Sequence, residues 1–154
     1  MQVFLPFPCV EKSLKVLNKQ RLGKQRVEAN QMIGIIEGHG KGWKSHPCTK
    51  MYSSYLDFLK FYYNRSLLEF EHKGGNNLRL SQIAHGEIQS PPWFGDDKFH
   101  LSHRSNLLRK AIDDANGIGR IGPKKPSDEL LRNLREFGVT EDNTDPNLEY
   151  IWYV

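Results

Sequence analysis

"HPCTKMYSSYLDFLKFYYNRSLLEFEHK", residues 46–73, carries the strongest helical pattern in the sequence. Its apolar side chains recur every three or four residues, and this spacing places them along one face of an α-helix. The pattern predicts a helix over roughly residues 47–72, with aromatic side chains in the core. The apolar stripe comprises Met51, Tyr52, Tyr55, Leu56, Leu59, Tyr62, Tyr63, Leu67 and Phe70.

Three further stretches carry helical signals. Residues 11–37 predict a first long helix, because apolar residues recur at near-helical spacing until a Gly-rich stretch ends the pattern. Residues 100–115 predict another helix. "PSDELLRNLREFG", residues 126–138, predicts the last, with Ser127 as N-cap and Gly138 just past its end. We therefore predict an all-α fold with little strand.

The remaining segments predict how the helices are connected. "QVFLPFP", residues 2–8, contains two prolines and predicts an extended arm whose apolar side chains reach the core. "NLEYIWYV", residues 147–154, is an aromatic tail, and "NGIGRIGPKKP", residues 116–126, predicts a flexible break. A chain of 154 residues is long enough to bury one core, so we predict one compact domain over residues 1–154.

The distribution of charge indicates a polyanionic partner. The formal net charge of +4 is by itself a weak signal. Residues 12–26, however, hold six cations and no acid, whereas the acids collect later in the chain. A basic N-terminal half of this kind suits the binding of a nucleic acid.

Cysteine usage and hydropathy indicate the compartment. Cys9 and Cys48 lack any metal-binding spacing, so we interpret them as small buried hydrophobes with reduced thiols. We find no signal-peptide pattern and no apolar run of membrane-spanning length. We expect a cytoplasmic protein without membrane contact, and a monomer, because nothing in the sequence indicates an oligomer.

The first predicted helix carries one carboxylate among cations. Arg21, Gln25 and Glu28 lie at positions i, i+4 and i+7 and share one face, with Lys24 and Arg26 beside them. One interpretation is a solvated face with a local ion pair. The other is a catalytic acid on a DNA-binding surface. The residues alone leave both open.

Two motifs further along the chain offer phosphate contacts. In "WKSHPC", residues 43–48, Lys44 and His46 precede a helix start, so they either contact phosphate or, in the case of His46, cap the helix. In "FHLSHRSNLLRK", residues 99–110, His103, Arg104 and Arg109 either contact phosphate or act as helix-capping polar residues.

Metal binding is the third possibility for the second motif. His100 and His103 are three residues apart, but no third ligand has a clear place in the sequence. We therefore favour phosphate contact over metal, and expect neither a metal nor a cofactor.

Aromatic residues outside the predicted helices are candidates for base stacking. Trp93 lies in a loop and Trp152 in the tail. Such side chains stack on bases or wedge into a duplex, or they fill the core of a small domain. We keep Trp93 and Trp152 as stacking candidates.

These stretches together resemble the pyrimidine dimer DNA glycosylases of the endonuclease V type, and especially their divergent bacterial and phage relatives. The resemblance rests on the arm leading into "LNKQRLGKQRVEA", residues 17–29, and on "KGWKSHP", residues 41–47. It also rests on "PPWFGDDKFHLSHRSNLLRK", residues 91–110, with the end "LEYIWYV". About half the chain is covered.

The resemblance implies a compact helical DNA repair enzyme acting on damaged double-stranded DNA. In that family the N-terminal α-amino group attacks C1′ of the damaged nucleotide, a helix glutamate assists, and a Schiff base leads to strand cleavage. The matching positions here are the α-amino group of Met1 and Glu28. The chain departs from the family pattern at Arg21, where a histidine is expected, and at Val27, where an arginine is expected.

The N-terminus carries a further expectation. α-Amino groups titrate near 7.7–8.0, against about 10.4 for lysine, so they are the more nucleophilic amines at neutral pH. Gln2 is too bulky a second residue for efficient removal of the initiator methionine, so we expect Met1 to be retained.

The alternative functions are a DNA-binding module without chemistry and a metal-dependent hydrolase using His100 and His103.

Overall fold

The computed structural model describes all 154 residues, and its regular structure is helical. This confirms the all-α prediction. The helices are α1 (Val10–Lys15), α2 (Lys19–Ile36), α3 (Pro47–Tyr52), α4 (Leu56–His72), α5 (Asp97–Ala115) and α6 (Glu129–Glu136), followed by a short 3-10 helix at Glu141–Asn143. No strand forms, and an isolated β-bridge pairs Ile118 with Pro123. No helix is long and apolar enough to cross a membrane.

The chain divides into two compact units. The first unit comprises residues 1–4, 19–94 and 152–154, and the second comprises residues 5–18 and 95–151. The single domain over residues 1–154 stays a prediction.

Helices α2 and α4 form the centre of the first unit. Leu22 and Met32 of α2 and Leu59 and Tyr62 of α4 are completely buried, because their helical spacing places them on the facing sides. Gly23 provides room for a neighbour, since a Cβ atom there would lie 3.3 Å from the ring of Phe70. The aromatic stripe of α4 is therefore core, as the sequence predicted.

Two predicted helices are each broken in the structure. The helix predicted over residues 11–37 is α1 and α2, separated at residues 16–18, whose side chains are buried rather than solvated. The helix predicted over residues 47–72 is α3 and α4. Between them Ser53 Oγ donates a hydrogen bond to the Lys50 carbonyl oxygen, a bond by which serine competes with regular helix.

Helices α5 and α6 pack together in the second unit. Helix α5 begins at Asp97, and the carboxylate of Asp96 caps it by accepting a hydrogen bond from the Lys98 amide. The N-cap of α6 is Asp128, so the prediction of Ser127 was wrong. Asp128 makes no side-chain capping bond and instead forms an ion pair with Arg132.

The N-terminal arm has no regular secondary structure, and its apolar side chains are buried as predicted. Val3 and Phe4 belong to the core of the first unit, and Leu5 and Phe7 to that of the second. The aromatic tail is also irregular. The arm therefore holds the first residues of the chain in a defined position.

Candidate active site at the N-terminus

Glu28 lies beside the start of the chain in the first unit. The backbone amide of Gln2 donates a hydrogen bond to Glu28 Oε2 at 3.1 Å. Glu28 is half-buried on α2, whereas Gln2 is buried. The α-amino group of Met1 is one residue from that amide, so covalent geometry keeps it within about 7 Å of the carboxylate oxygen.

Gln25 clamps the arm one turn before Glu28. Its amide nitrogen donates to the Gln2 carbonyl oxygen at 3.0 Å, and its Oε1 accepts from the Phe4 amide at 2.9 Å. Tyr62 Oη lies 2.7 Å from Gln25 Oε1 and 3.0 Å from the Phe4 carbonyl oxygen. Because Gln25 is only 2 % exposed, these bonds form away from water and fix the arm on α2.

His46 stands at the start of α3 and confirms the capping interpretation. Its Nδ1 accepts a hydrogen bond from the Cys48 amide at 3.1 Å. Burial lowers the pKa of His46, and the positive α-amino group lowers it further, while Glu28 opposes the change. A neutral ring is consistent with an accepting Nδ1, and it adds no second cation beside the amine.

Two other side chains of α3 face the beginning of the chain. The thiol of Cys48 donates to Gln2 Oε1 at 3.7 Å, and Thr49 Oγ1 donates to the Met1 sulfur at 3.9 Å. Burial raises the pKa of Cys48 to about 12. Cys48 is therefore a buried thiol that packs the site, as the sequence predicted. Cys9 is exposed, so the same prediction was wrong for Cys9.

The arrangement is a terminal amine held near a carboxylate that lies within a basic helix. Residues 1–82 match the family described as pyrimidine dimer DNA glycosylase. The chain belongs to this family. The matched residues cover more than half the chain and include the arm, α2, α3 and α4. Comparisons with curated proteins and with solved structures gave no match.

Family membership fixes the general class of activity. A pyrimidine dimer DNA glycosylase is a DNA repair enzyme, and its substrate is DNA. The resemblance inferred from the sequence is thereby confirmed at the level of the family. Met1, Gln25, Glu28 and His46 all lie inside the matched region.

The predicted DNA contacts of the first unit differ in their surroundings. Lys24 and Lys44 are exposed, and Arg21 is half-buried. The guanidinium of Arg26 lies 4.1 Å from the centre of the Phe70 ring, a cation–π contact that occupies one of its faces. Gln25, predicted to bind DNA, is instead buried against the arm, so that prediction is corrected.

The predicted DNA contacts of the second unit instead form hydrogen bonds with backbone groups of that unit. Buried His103 accepts from the Leu5 amide at 2.9 Å through Nδ1, and burial lowers its pKa to about 3. The phosphate contact predicted for His103 is therefore corrected to a backbone contact, because its ring is buried and its Nδ1 accepts from Leu5. Arg104 donates to the Pro6 carbonyl oxygen at 2.8 Å. Arg109 donates to the carbonyl oxygens of Asp145 and Leu148 at 3.0 and 2.6 Å.

The two histidines of α5 have a structural role. His100 Nδ1 lies 2.6 Å from the Leu5 carbonyl oxygen, and its Nε2 accepts from the Gly95 amide at 2.9 Å. Together with His103 it binds both backbone polar groups of Leu5. No group of three potential ligand side chains in the protein could hold a metal ion. The hydrolase interpretation therefore has no support from ligand geometry.

The aromatic candidates separate into core and surface. Trp93 is 5 % exposed and contacts the rings of Tyr52, Tyr55 and Tyr153, so the core alternative applies to it and base stacking is corrected. Trp152 is half-buried, with its ring centre 5.7 Å from that of His46. This geometry keeps Trp152 as a candidate.

Sequence reasoning missed Trp43 as a stacking candidate. Its side chain is 55 % exposed, and its ring centre lies 5.4 Å from that of His46. Its φ of 61° lies in the left-handed region, which bulky residues rarely adopt and which is costly in free energy. The glycine at 42 and the flanking lysines were visible signals, but the backbone conformation was not.

Proposed function

We propose that the protein excises damaged pyrimidines from duplex DNA, with pyrimidine dimers as the substrate class, and then cuts the strand at the resulting abasic site. The neutral α-amino group of Met1 attacks C1′ of the damaged nucleotide. The bond from C1′ to the base breaks, and the base leaves with the bonding electrons and takes up a proton. The nitrogen loses one proton, its lone pair forms the double bond to C1′ as the bond from C1′ to O4′ breaks, and O4′ takes up a proton. The product is a ring-opened, protonated imine.

Strand cleavage follows from the same imine. The protonated imine acidifies C2′, so that a base removes a proton there and the bond from C3′ to the phosphate oxygen breaks. Water then hydrolyses the imine and restores the free amine. No metal and no cofactor enter these steps.

Glu28 has two roles in this scheme. Its negative charge stabilises the positive charge that develops on the sugar and then on the imine nitrogen. It also accepts and returns protons during imine formation and elimination. Both roles require the carboxylate to lie near the terminal amine.

The contact from the Gln2 amide to Glu28 Oε2 carries the proposal. The Gln2 nitrogen is itself an amide whose lone pair is delocalised, so it is not the nucleophile while Met1 is attached. The contact nevertheless directs the first residue toward the carboxylate. The clamp by Gln25 supports the same placement, because it removes the freedom that most chain termini have.

Lys24 and Lys44 are proposed as the phosphate-binding cations of this site, with Arg21 as a third. Both lysines are exposed on the unit that holds Glu28. Val27, at the position where the family has an arginine, is 39 % exposed and makes no charge contribution. Contacts of this type position the duplex without reading its sequence.

Trp43 and Trp152 are proposed as stacking surfaces for bases at the lesion. Both rings contact His46 edge-on, and His46 lies within electrostatic reach of the amine and Glu28. An aromatic face beside a basic surface suits an unpaired base, because every base offers a π face. Such a site would receive a nucleotide pushed out of the duplex.

Borohydride trapping with a matched pair of variants tests the proposal. Reduction converts the imine to a stable covalent adduct, so wild-type protein is expected to be trapped on duplexes containing an abasic site and on duplexes containing a thymine dimer. Glu28→Gln keeps an acceptor for the Gln2 amide and is expected to bind DNA normally without cleaving it.

Glu37→Gln serves as the control, because Glu37 is an exposed carboxylate directly after α2 that pairs with Lys60. It is expected to behave as wild type. Unchanged turnover of Glu28→Gln would refute the assigned role. Tight binding by wild type without any adduct would leave a DNA-binding module that lacks the chemistry.

A further inference from the structure

The loop between α5 and α6 in the second unit is an ordered hairpin, where the sequence predicted a flexible break. The Gly119 amide donates to the Gly122 carbonyl oxygen at 2.8 Å, and the Lys124 amide donates to the Gly117 carbonyl oxygen at 2.9 Å. Between these bonds Ile118 pairs with Pro123 as an isolated bridge. The hairpin, residues 117–124, therefore presents a tight turn with Arg120 and Ile121 at its tip.

Two glycines make this turn possible. Gly117 has φ +70°, and a Cβ atom there would lie 2.8 Å from the Lys124 carbonyl oxygen. A Cβ atom at Gly119 would lie 2.5 Å from the Gly122 carbonyl oxygen. Any larger residue would force the two chain segments apart, so the sequence is adapted to close pairing here.

Asp114 fixes the base of the hairpin to α5. Its side chain is buried and forms an ion pair with Lys124. Its carbonyl oxygen accepts a hydrogen bond from the Ser127 amide at 2.8 Å, on the far side of the hairpin. The tip is consequently held on a defined stem and is not the end of a loose loop.

The tip combines a fully exposed aliphatic side chain with one cation, and a second exposed cation follows the hairpin. Ile121 is 100 % exposed, and Ile118 on the stem is 54 % exposed. Arg120 directly precedes Ile121 and is exposed, and Lys125, which directly follows the hairpin, is also exposed. Single exposed aliphatic residues are common on protein surfaces, but a hydrogen-bonded turn that presents one directly after an arginine is a narrower arrangement.

We propose that the hairpin is a second DNA contact, in which Ile121 inserts between base pairs from the minor groove while Arg120 and Lys125 bind the groove and its phosphates. Minor-groove proteins use aliphatic wedges to unstack a base step and use arginine and lysine beside them. A protein partner fits less well, because one isoleucine offers far too little area for a specific interface. The inference rests on the proposed function in that DNA is the ligand.

Unstacking of a duplex that cannot react is the direct test. The duplex carries a tetrahydrofuran abasic analogue, which has no aldehyde and forms no imine, and 2-aminopurine replaces one adenine at a time on both sides of it. The fluorescence of 2-aminopurine rises when it is unstacked. Wild type is expected to raise the fluorescence at one or two adjacent positions, and Ile121→Ser is expected to abolish that rise and weaken binding about tenfold.

Leu78→Ser is the matched control, because Leu78 is another aliphatic side chain that is 86 % exposed, and it lies in the first unit. It is expected to match wild type in both signals. Arg120→Gln is expected to weaken binding several-fold and to reduce its dependence on salt. Equal fluorescence for wild type and Ile121→Ser would overturn the wedge, and so would a loss of affinity without a fluorescence change.

Trapping on a single-stranded abasic oligonucleotide separates this proposal from the proposed function. A single strand has no base step to open, so Ile121→Ser is expected to be trapped as efficiently as wild type. A wild-type protein that is never trapped but unstacks DNA through Ile121 would keep the wedge and refute the imine chemistry. If wild type is trapped, and duplex unstacking is the same in wild type and Ile121→Ser, the imine chemistry would stand and the wedge would be refuted.

Discussion

The backbone amide of Gln2 donates a hydrogen bond to Glu28 Oε2 at 3.1 Å, across 26 positions of sequence. This contact joins the start of the chain to the carboxylate of α2. An ordinary acid on a basic helix can be neutralised by cations of the same helix, such as Lys24 and Arg21. Glu28 instead accepts a hydrogen bond from the start of the chain. We therefore interpret the basic helix as the support of an N-terminal active site.

Gln25 is expected to position the terminal amine. Gln25→Leu removes bonds to Gln2 and Phe4 and leaves buried polar groups unpaired, so the free energy of unfolding should fall by about 3 kcal/mol. Because misplacement of a reacting group by about 1 Å can cost about 100-fold in rate, kcat should fall while KM for duplex DNA stays unchanged. Exposed Gln31 on the same helix provides the control Gln31→Leu. A KM effect alone would contradict the positioning role.

Trp43 is expected to stabilise the DNA complex, although its backbone conformation costs free energy in the folded protein. Trp43→Gly should weaken binding to a dimer-containing duplex about tenfold, through the loss of one stacking surface. Since glycine adopts a φ of 61° without strain, the free energy of unfolding should not fall. Equilibrium binding and urea unfolding measure the two quantities. Trp43→Phe should restore most of the affinity, and normal binding by Trp43→Gly would remove Trp43 from the site.

The salt dependence of binding is expected to distinguish cations that contact phosphate from cations that bind the protein's own backbone. Lys24→Gln and Lys44→Gln should each reduce the slope of log K against log salt concentration by about 0.9, because each removes about one phosphate contact. Arg109→Gln should leave the slope unchanged, because its guanidinium binds the carbonyl oxygens of Asp145 and Leu148. Affinities measured at several salt concentrations give the slopes. An effect of Arg109→Gln as large as that of Lys24→Gln would contradict this assignment.

His103 is expected to make stability depend on pH. Its pKa is lowered to about 3 in the folded protein, against about 6.5 when unfolded, so the unfolded state takes up the proton first as the pH falls. The contribution of His103 to the free energy of unfolding is therefore fully present above pH 6.5. It is lost as the pH falls from 6.5 toward 3, by about 1.4 kcal/mol per pH unit.

His103→Asn isolates this effect, because asparagine can still accept the Leu5 amide but does not titrate. Urea unfolding at pH 7.5 and pH 5.0 should show a loss smaller by about 2 kcal/mol in the variant than in wild type. Burial also lowers the pKa of His100, so some loss should remain in both proteins. Equal losses in the two proteins would refute the role of His103.

The sequence predicted the helical fold because the apolar stripe of α4 repeats with the helical period over four turns. It did not predict the interruptions at residues 16–18 and 53–55. Val16 and Leu17 at the first break and Tyr55 at the second continue the apolar pattern. The burial of residues 16–18 and the bond from Ser53 to the backbone are visible only in the structure. The spacing of apolar residues predicts which side chains face the core, but it does not predict where one helix ends and the next begins.

The site was predicted in part for a similar reason. Glu28 stood out because it is the one acid in a basic stretch, and the arm stood out because it is apolar. Gln25 and His103 resembled DNA contacts, since a polar residue near cations has the same pattern whether it faces solvent or a buried backbone. Their bonds to Phe4 and Leu5 span 21 and 98 positions, which no local pattern encodes.

The position of the trapped adduct identifies the amine that acts as the nucleophile. Wild-type protein is reduced with borohydride on an abasic duplex, digested, and mapped by mass spectrometry. We predict one adduct on the N-terminal peptide, at the α-amino group of Met1. An adduct on Gln2 of a chain that lacks Met1 would keep the terminal-amine chemistry but contradict Met1 as the nucleophile. An adduct on a lysine such as Lys24 would contradict a terminal amine as the nucleophile.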